Sequence, residues 1–371
     1  MAWYGWLMLS FVIPAGFVER STCKPRHTVP AENVVVYRED GRFGGWPANN
    51  GIWCWGNEIV VGFTLGYHDE KADGHTIDRS KPIVPRQARS LDGGKTWNFE
   101  VPDYLEREPA PCPGNIDFQQ PNFAITFRMH PTARNTSYFC WSSDRCKTWH
   151  GPYLLPTFGR IGMLPRTDYQ VEGKHDLVAF MAATKEDGSE GWPMMIRTRD
   201  GGKTWDQISW IGEQPGKGGY AIMPSTVRLG ENEFYTFIRR RNNSDQAPKR
   251  WWIEPFRSVD NGKTWKLEEN NSIDNAGNPA AMIKLKDGRL ALTYGNRRAP
   301  YGIRARISND GGRTWSKEIM LRDDGANWDL GYPRTVQRED GKLVTVYYFN
   351  DASKPFRYIA ATIWEPPSKA E

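Results

Sequence analysis

One eight-residue motif recurs five times along this chain, and it constrains the fold more than any other feature. The copies are SLDGGKTW (90–97), SSDRCKTW (142–149), TRDGGKTW (198–205), SVDNGKTW (258–265) and SNDGGRTW (308–315). Their aspartates, Asp92, Asp144, Asp200, Asp260 and Asp310, are 52, 56, 60 and 50 residues apart. Asp followed by Gly-Gly or Asn-Gly signals a hairpin turn, because glycine tolerates positive φ. The Asp carboxylate and the Ser or Thr hydroxyl can both bond backbone within such a turn. The Trp then opens the next strand and packs inward. Apolar runs flank each copy, for example Phe234–Ile238 and Leu290–Tyr294, and read as strands.

A period of fifty to sixty residues, repeated radially, is the mark of a β-propeller. That period divides the 349 residues from 23 to 371 into six blades, with seven as the alternative. The expected class is therefore all-β: a single six-bladed propeller domain over 23–371. Five blades carry the motif, and the sixth is closed by strands from both chain ends (33–37 with 343–349 and 358–363). The composition agrees, with 36 Gly, 26 Pro and 17 Trp suiting many turns and short strands. The net charge of +5 is spread along the chain. It lacks the clustered basic face of a nucleic-acid binder and suits an anionic small molecule or glycan.

Residues 2–18 are uncharged and apolar, and Glu19 and Arg20 follow. Residues 1–22 read as a signal peptide, the alternatives being a membrane anchor or a miscalled start codon. A signal peptide implies a secreted or periplasmic protein with no stable membrane insertion once it is removed, and the domain is expected to be a monomer. No later run approaches the ~20 apolar residues of a membrane span. The five cysteines, Cys23, Cys54, Cys112, Cys140 and Cys146, form no C-x-x-C pair. Cys140 and Cys146 flank a turn and could bridge it, the alternative being buried thiols.

The repeat S-x-D-x-G-x-T-W resembles the Asp-box, or bacterial neuraminidase repeat, and residues 30–365 resemble the sialidase superfamily. The resemblance implies a six-bladed propeller with structural Asp-boxes away from the active site. It also implies an exo-glycoside hydrolase that releases a terminal acidic sugar from glycans without a cofactor. In such a site arginines clamp the substrate carboxylate, a Tyr paired with a Glu is the nucleophile, and an Asp is the acid/base. Arg suits the clamp because its planar fork meets a carboxylate bidentately and stays charged.

Carried over residue by residue, Tyr332 falls where the nucleophile stands. Arg334, two residues on, is expected on the same side of a strand. Arg239 fits one clamp position, with Arg240 as the neighbouring alternative. Arg304 fits another, with Arg298 behind it. Asp69 falls near the offset of the acid/base. The first-blade Arg-Ile-Pro signature is missing around Trp46 and Pro47, where only Arg42 is near. Met223 stands where the Glu partner of the Tyr is expected.

The first blade offers other groups: Trp46 and Asn49 as sugar contacts, and His75 in a loop with His68, Asp69, Asp73 and Asp78. A His beside carboxylates suits proton transfer near neutral pH. It also suits β-elimination from a uronate, with arginines stabilising the enolate. Their spacing does not make a metal site. A hydrolase or lyase on uronate-bearing polysaccharide, and a non-catalytic glycan-binding propeller, are the alternative readings. The convergence of the arginines, Tyr332 and the 66–78 loop in one funnel discriminates between them.

Overall fold

The computed structural model describes residues 27–369 except 73, 106 and 131–134. The apolar leader 1–22, Cys23 and Asp73 lie outside the described residues. Six antiparallel sheets succeed one another along the chain, so the ring has six blades. The first runs over 42–100, the second over 124–155, the third over 163–210, the fourth over 220–267 and the fifth over 280–322. The sixth joins Gly331–Gln337, Leu343–Asp351 and Lys354–Trp364 to the N-terminal strand Ala31–Tyr37, which pairs antiparallel with Lys354–Trp364. Both ends of the chain thus close one blade. No helix among the described residues is long and apolar enough to cross a membrane.

The core follows from this geometry. A propeller blade is covered on both faces, so its strands do not alternate between core and solvent. Ile59, Val61 and Phe63 pack toward the sixth blade while Val60 packs toward the second, and all four are fully buried. Likewise Tyr348 faces the first blade, and Tyr347 and Phe349 face the fifth. Six hydrophobic clusters result, one at each contact between neighbouring blades.

The five Asp-boxes form the same hydrogen-bonded turn between the last two strands of five blades. In each, the first Ser or Thr hydroxyl donates to the Asp Oδ1 at 2.8–2.9 Å. The second Thr donates its backbone N–H to Oδ1 at 2.9–3.0 Å. Its hydroxyl donates to Oδ2 at 2.6–2.7 Å. These bonds outweigh burial and hold all five carboxyls below their ordinary range, Asp92 and Asp260 at about 2. The second box has Arg145 and Cys146 at φ 63 and 64 where three boxes have Gly-Gly and the fourth has Asn261-Gly262. Of the two readings of Cys140 and Cys146 the structure has the second: both are buried free thiols, and each packs in the contact between the first two blades.

The innermost strands are interrupted at one level. Arg42–Gly45 and Ile52–Trp55 both pair with Glu58–Tyr67, and the short helix Pro47–Asn50 bulges out between them. Met163–Leu164 and Tyr169–Gly173 likewise share Asp176–Thr184 as partner, leaving Pro165–Asp168 as a bulge. The register shifts between Ile222 and Ser225, and again between Gly331 and Arg334. Each interruption holds a proline: Pro47, Pro165, Pro224 and Pro333. Pro279 opens the innermost strand of the fifth blade. Proline lacks an N–H and belongs at an edge or a bulge, and the innermost strand of a blade is an edge.

Candidate functional site

These interruptions build the floor of a cavity of about 690 Å³ at one end of the propeller axis. Trp46, Met223, Ala276 and Tyr332, all non-glycine residues, sit there at φ 57, 58, 56 and 50. Backbone held in this region costs about 1–3 kcal/mol per residue and concentrates at functional sites.

Tyr332 is buried, with its hydroxyl accepting a hydrogen bond from Arg239 Nη1 at 2.8 Å. Its backbone N–H is fixed by Asn278 Oδ1 at 3.0 Å. The Arg297 guanidinium lies 5.3 Å from the Trp328 ring centroid and 5.4 Å from that of Tyr332. Arg297 also donates to the Tyr348 hydroxyl at 2.9 Å. Arg166 comes from the third-blade bulge, Glu190 from a neighbouring strand of that blade, and Arg79 and Arg241 from the walls. None of these five arginines forms an ion pair among the described residues. Their sequence neighbours do: Arg240 pairs with Glu254 at 2.9 Å and Arg298 with Asp274 at 2.8 Å. Burial, with Arg239 and Arg128 adding to it, pushes the Arg166 guanidinium below its ordinary value against the pull of Glu190 and Tyr332.

His75 enters the cavity from the first-blade loop. Its Nδ1 is 2.5 Å from Asp329 Oδ1. Asp329 is 1% exposed and also accepts from the Tyr348 hydroxyl (2.7 Å), Arg357 Nε (3.1 Å) and the Thr76 backbone N–H (3.2 Å). Burial opposes ionisation of Asp329, but the His75 bond, the charges of His75 and Arg357 and the Tyr348 bond overcome it, and the carboxyl stays far below its ordinary range. Burial moves His75 the other way from its carboxylate partner: desolvation, helped by Arg297 and Arg239, lowers it below 6.5 despite Asp329. Above that lowered pKa the imidazole is neutral, and with Nδ1–H facing the carboxylate its Nε2 is the acceptor. The ring is caged by Trp46, Trp328 and Tyr332 at centroid distances of 5.2, 5.8 and 6.0 Å.

The cavity gathers Tyr332, His75, Arg239, Trp46 and Asn49, as the motifs suggested, and leaves three expected residues elsewhere. Arg304 is 2% exposed inside the fifth blade, paired with Glu318 and donating to the carbonyls of Pro300 and Arg322. Both faces of a blade are buried, so an inward-pointing Arg need not reach the axis. Arg334 does not share a side with Tyr332, because the bulge between them breaks the two-residue alternation. It lines a second, deeper cavity with Asp168 and donates to the Ala48 and Thr167 carbonyls. Asp69 caps its own turn by accepting the Lys71 backbone N–H at 3.0 Å. Met223 lies at the floor with its sulfur 3.9 Å from Arg239 Nη1, and no carboxylate among the described residues hydrogen-bonds the Tyr332 hydroxyl.

Sequence reasoning missed Arg166, Glu190, Arg297, Trp328 and Asp329. One signal could have found Arg166: Pro165, Pro224, Pro279 and Pro333 recur 59, 55 and 54 residues apart, in step with the Asp-boxes. Arg166, Met223, Ala276 and Tyr332 sit within three positions of these prolines.

The family description "BNR repeat-like domain" matches residues 122–345. A sialidase of Clostridium perfringens is 26% identical over a stretch covering 34% of this chain and 40% of that protein. The chain thus matches well under half the length of that curated relative. Among solved structures, a protein of unknown function from Dyadobacter fermentans superposes with a TM-score of 0.69 at 24% identity, covering 92% of this chain and 99% of that one. The α-L-arabinanase of Penicillium chrysogenum gives 0.60 at 13%, covering 92% and 98%. The NanB sialidase of Streptococcus pneumoniae gives 0.57 at 12%, covering 90% and 70%. These likenesses show the fold.

Proposed function

The chain belongs to the BNR repeat-like domain family, with a sialidase-like propeller, and from that premise we propose that it is an exo-acting glycoside hydrolase taking a terminal acidic sugar into the axial cavity. The observation that carries this reading is the convergence of Arg166, Arg239 and Arg297, none paired with a carboxylate, around Tyr332. A cluster of uncompensated guanidiniums in a half-enclosed site favours a carboxylate ligand. Trp46 supplies an apolar face for the sugar ring, and Asn49 a polar contact. Tyr332 is the nucleophile: His75 Nε2, oriented by Asp329, takes its hydroxyl proton, and the tyrosine oxygen attacks the anomeric carbon as the glycosidic C–O bond breaks. The imidazolium returns that proton to the departing oxygen, with Arg239 compensating the charge on the tyrosine oxygen; water then cleaves the tyrosyl–sugar bond and restores Tyr332.

One observation favours a second reading. The Tyr332 hydroxyl touches a guanidinium, which cannot accept its proton, and His75 is a neutral base. That suits β-elimination from a uronate: His75 removes the proton next to the carboxylate, and the arginines hold the enolate. Its collapse forms the C4–C5 double bond as the C4–O glycosidic bond breaks, the departing oxygen taking a proton from the Tyr332 hydroxyl. The experiment is turnover of a fluorogenic α-sialoside and, separately, of an oligouronate, by the chain from residue 23 onward and its Tyr332→Phe variant. Hydrolysis of the sialoside, lost on the order of 10³-fold or more in the variant, supports the first reading. Ultraviolet absorbance from an unsaturated uronate, with no sialoside turnover, replaces it by the second. Turnover of neither removes both.

A further inference from the structure

A single sugar carboxylate cannot engage five guanidiniums. Arg239 and Arg297 lie against Tyr332 and Arg166 stands on the third-blade bulge, whereas Arg79, exposed, and Arg241, beside the exposed Trp251, mark the rim. Arg79 is exposed and makes no ion pair among the described residues. Arg241 is half-buried, lies 4.6 Å over the Tyr220 ring and bonds the Gly218 carbonyl, again with no carboxylate. Against these five, Glu190 is the acidic residue lining the cavity among the described residues, and the buried Asp329 is already shared by His75 and Arg357. Most other arginines of the chain are neutralised, as Arg240 and Arg298 show beside two of the five. The rim also holds two exposed tryptophans, Trp251 (37%) and Trp328 (40%). Trp251 is the cross-strand partner of Arg241. An exposed indole beside an unpaired guanidinium offers a stacking face and a charged fork side by side.

Resting on the reading of the floor as an acidic-sugar site, we propose that the rim is a second anionic-sugar subsite, so that the substrate is a glycan with a negative charge on its penultimate residue as well as its last. The second sugar stacks on Trp251 or Trp328, and its carboxylate or sulfate ester meets Arg241 and Arg79. A neutral second sugar would leave both rim charges uncompensated, so chain extension by itself is not what this rim recognises.

The test is calorimetric titration of the full chain carrying Tyr332→Phe, at low ionic strength because exposed charges are screened by salt. The probes are sialic acid, sialyl-galactose, disialic acid and sulfated sialyl-galactose, with galacturonate, digalacturonate and its mono-methyl ester in parallel. The expected result is binding of one acidic monosaccharide series, tightened about tenfold or more by a second anionic residue and not by a neutral one. Arg79→Gln with Arg241→Gln should erase that gain and leave the monosaccharide affinity in place. Arg79→Gln alone, at an exposed side chain, guards against misfolding as the explanation and should reduce the gain. A gain from sulfate equal to that from carboxylate supports recognition of charge; a gain from carboxylate alone supports a fork match. Equal affinity for neutral and anionic extensions overturns the inference while the floor reading stands. A gain that survives both substitutions overturns it too. Failure of every acidic sugar to bind removes the floor reading along with it.

Discussion

The Asp-box turns and the axial cavity use the same materials to opposite ends. Both hold residues at positive φ, and both fix charged side chains, half-exposed in the turns and more deeply set in the cavity. In the turns, every Asp carboxylate is filled by donors from its own eight residues, in five near-identical copies. In the cavity, Trp46 Nε1, Asn49 Oδ1, Arg166 Nε and Arg239 Nε are buried and unpartnered. Buried polar groups are costly when unpaired. A polar group satisfied locally and repeatedly serves stability; one left open, at a unique place on the axis, is available to a ligand.

Substitutions at the two places should therefore separate activity from stability. The largest effect is expected at His75. His75→Gln should lower kcat by about 10²–10⁴-fold with the melting temperature nearly unchanged. In the unsubstituted chain kcat/KM should rise with pH through a pKa below 6.5 and stay level above it, because the working base is the neutral imidazole. A falling profile over that range would make His75 an acid instead. Asp329→Asn belongs to both worlds: it unpairs the buried Arg357 and frees His75. It should cost about 3–5 kcal/mol in chemical denaturation and lose activity as well. A variant stable but inactive would show that Arg357 finds another acceptor. Asp310→Ala should cost about 1–3 kcal/mol and leave kcat/KM unchanged.

The turns also carry a pH signature. Their carboxyls lie below the ordinary 3.8, two at about 2. Their stabilisation is thus complete above about pH 4 and is lost as pH falls toward 2. Melting temperature followed over that window in Asp310→Ala should show a shallower decline than in the unsubstituted chain.

The turns were legible because each is complete in eight consecutive residues. The cavity was only half legible. Tyr332 and Arg239 could be placed, since each stands next to a recognisable motif. Arg334 and Arg304 were misplaced for two physical reasons. The bulge at Tyr332 cancels the alternation that would put Arg334 beside it. The double coverage of each blade gives a strand two buried faces, so Arg304 is inward without being axial. Asp329 gave no signal, because a lone Asp before a Gly-Tyr-Pro turn reads as loop until His75 arrives from 254 residues away.

The pairing of Ala31–Tyr37 with Lys354–Trp364 has a consequence for synthesis. Until residues 354–364 leave the ribosome, the sixth blade lacks both its own outer strand and the docking edge for the first strand made. The nascent chain carries an open sheet edge and one uncovered face of the first blade, which includes Phe43, Ile59 and Phe63. Contacts between such distant segments form late and slowly. The interval between the first blade and the last is when this protein most needs protection from other chains.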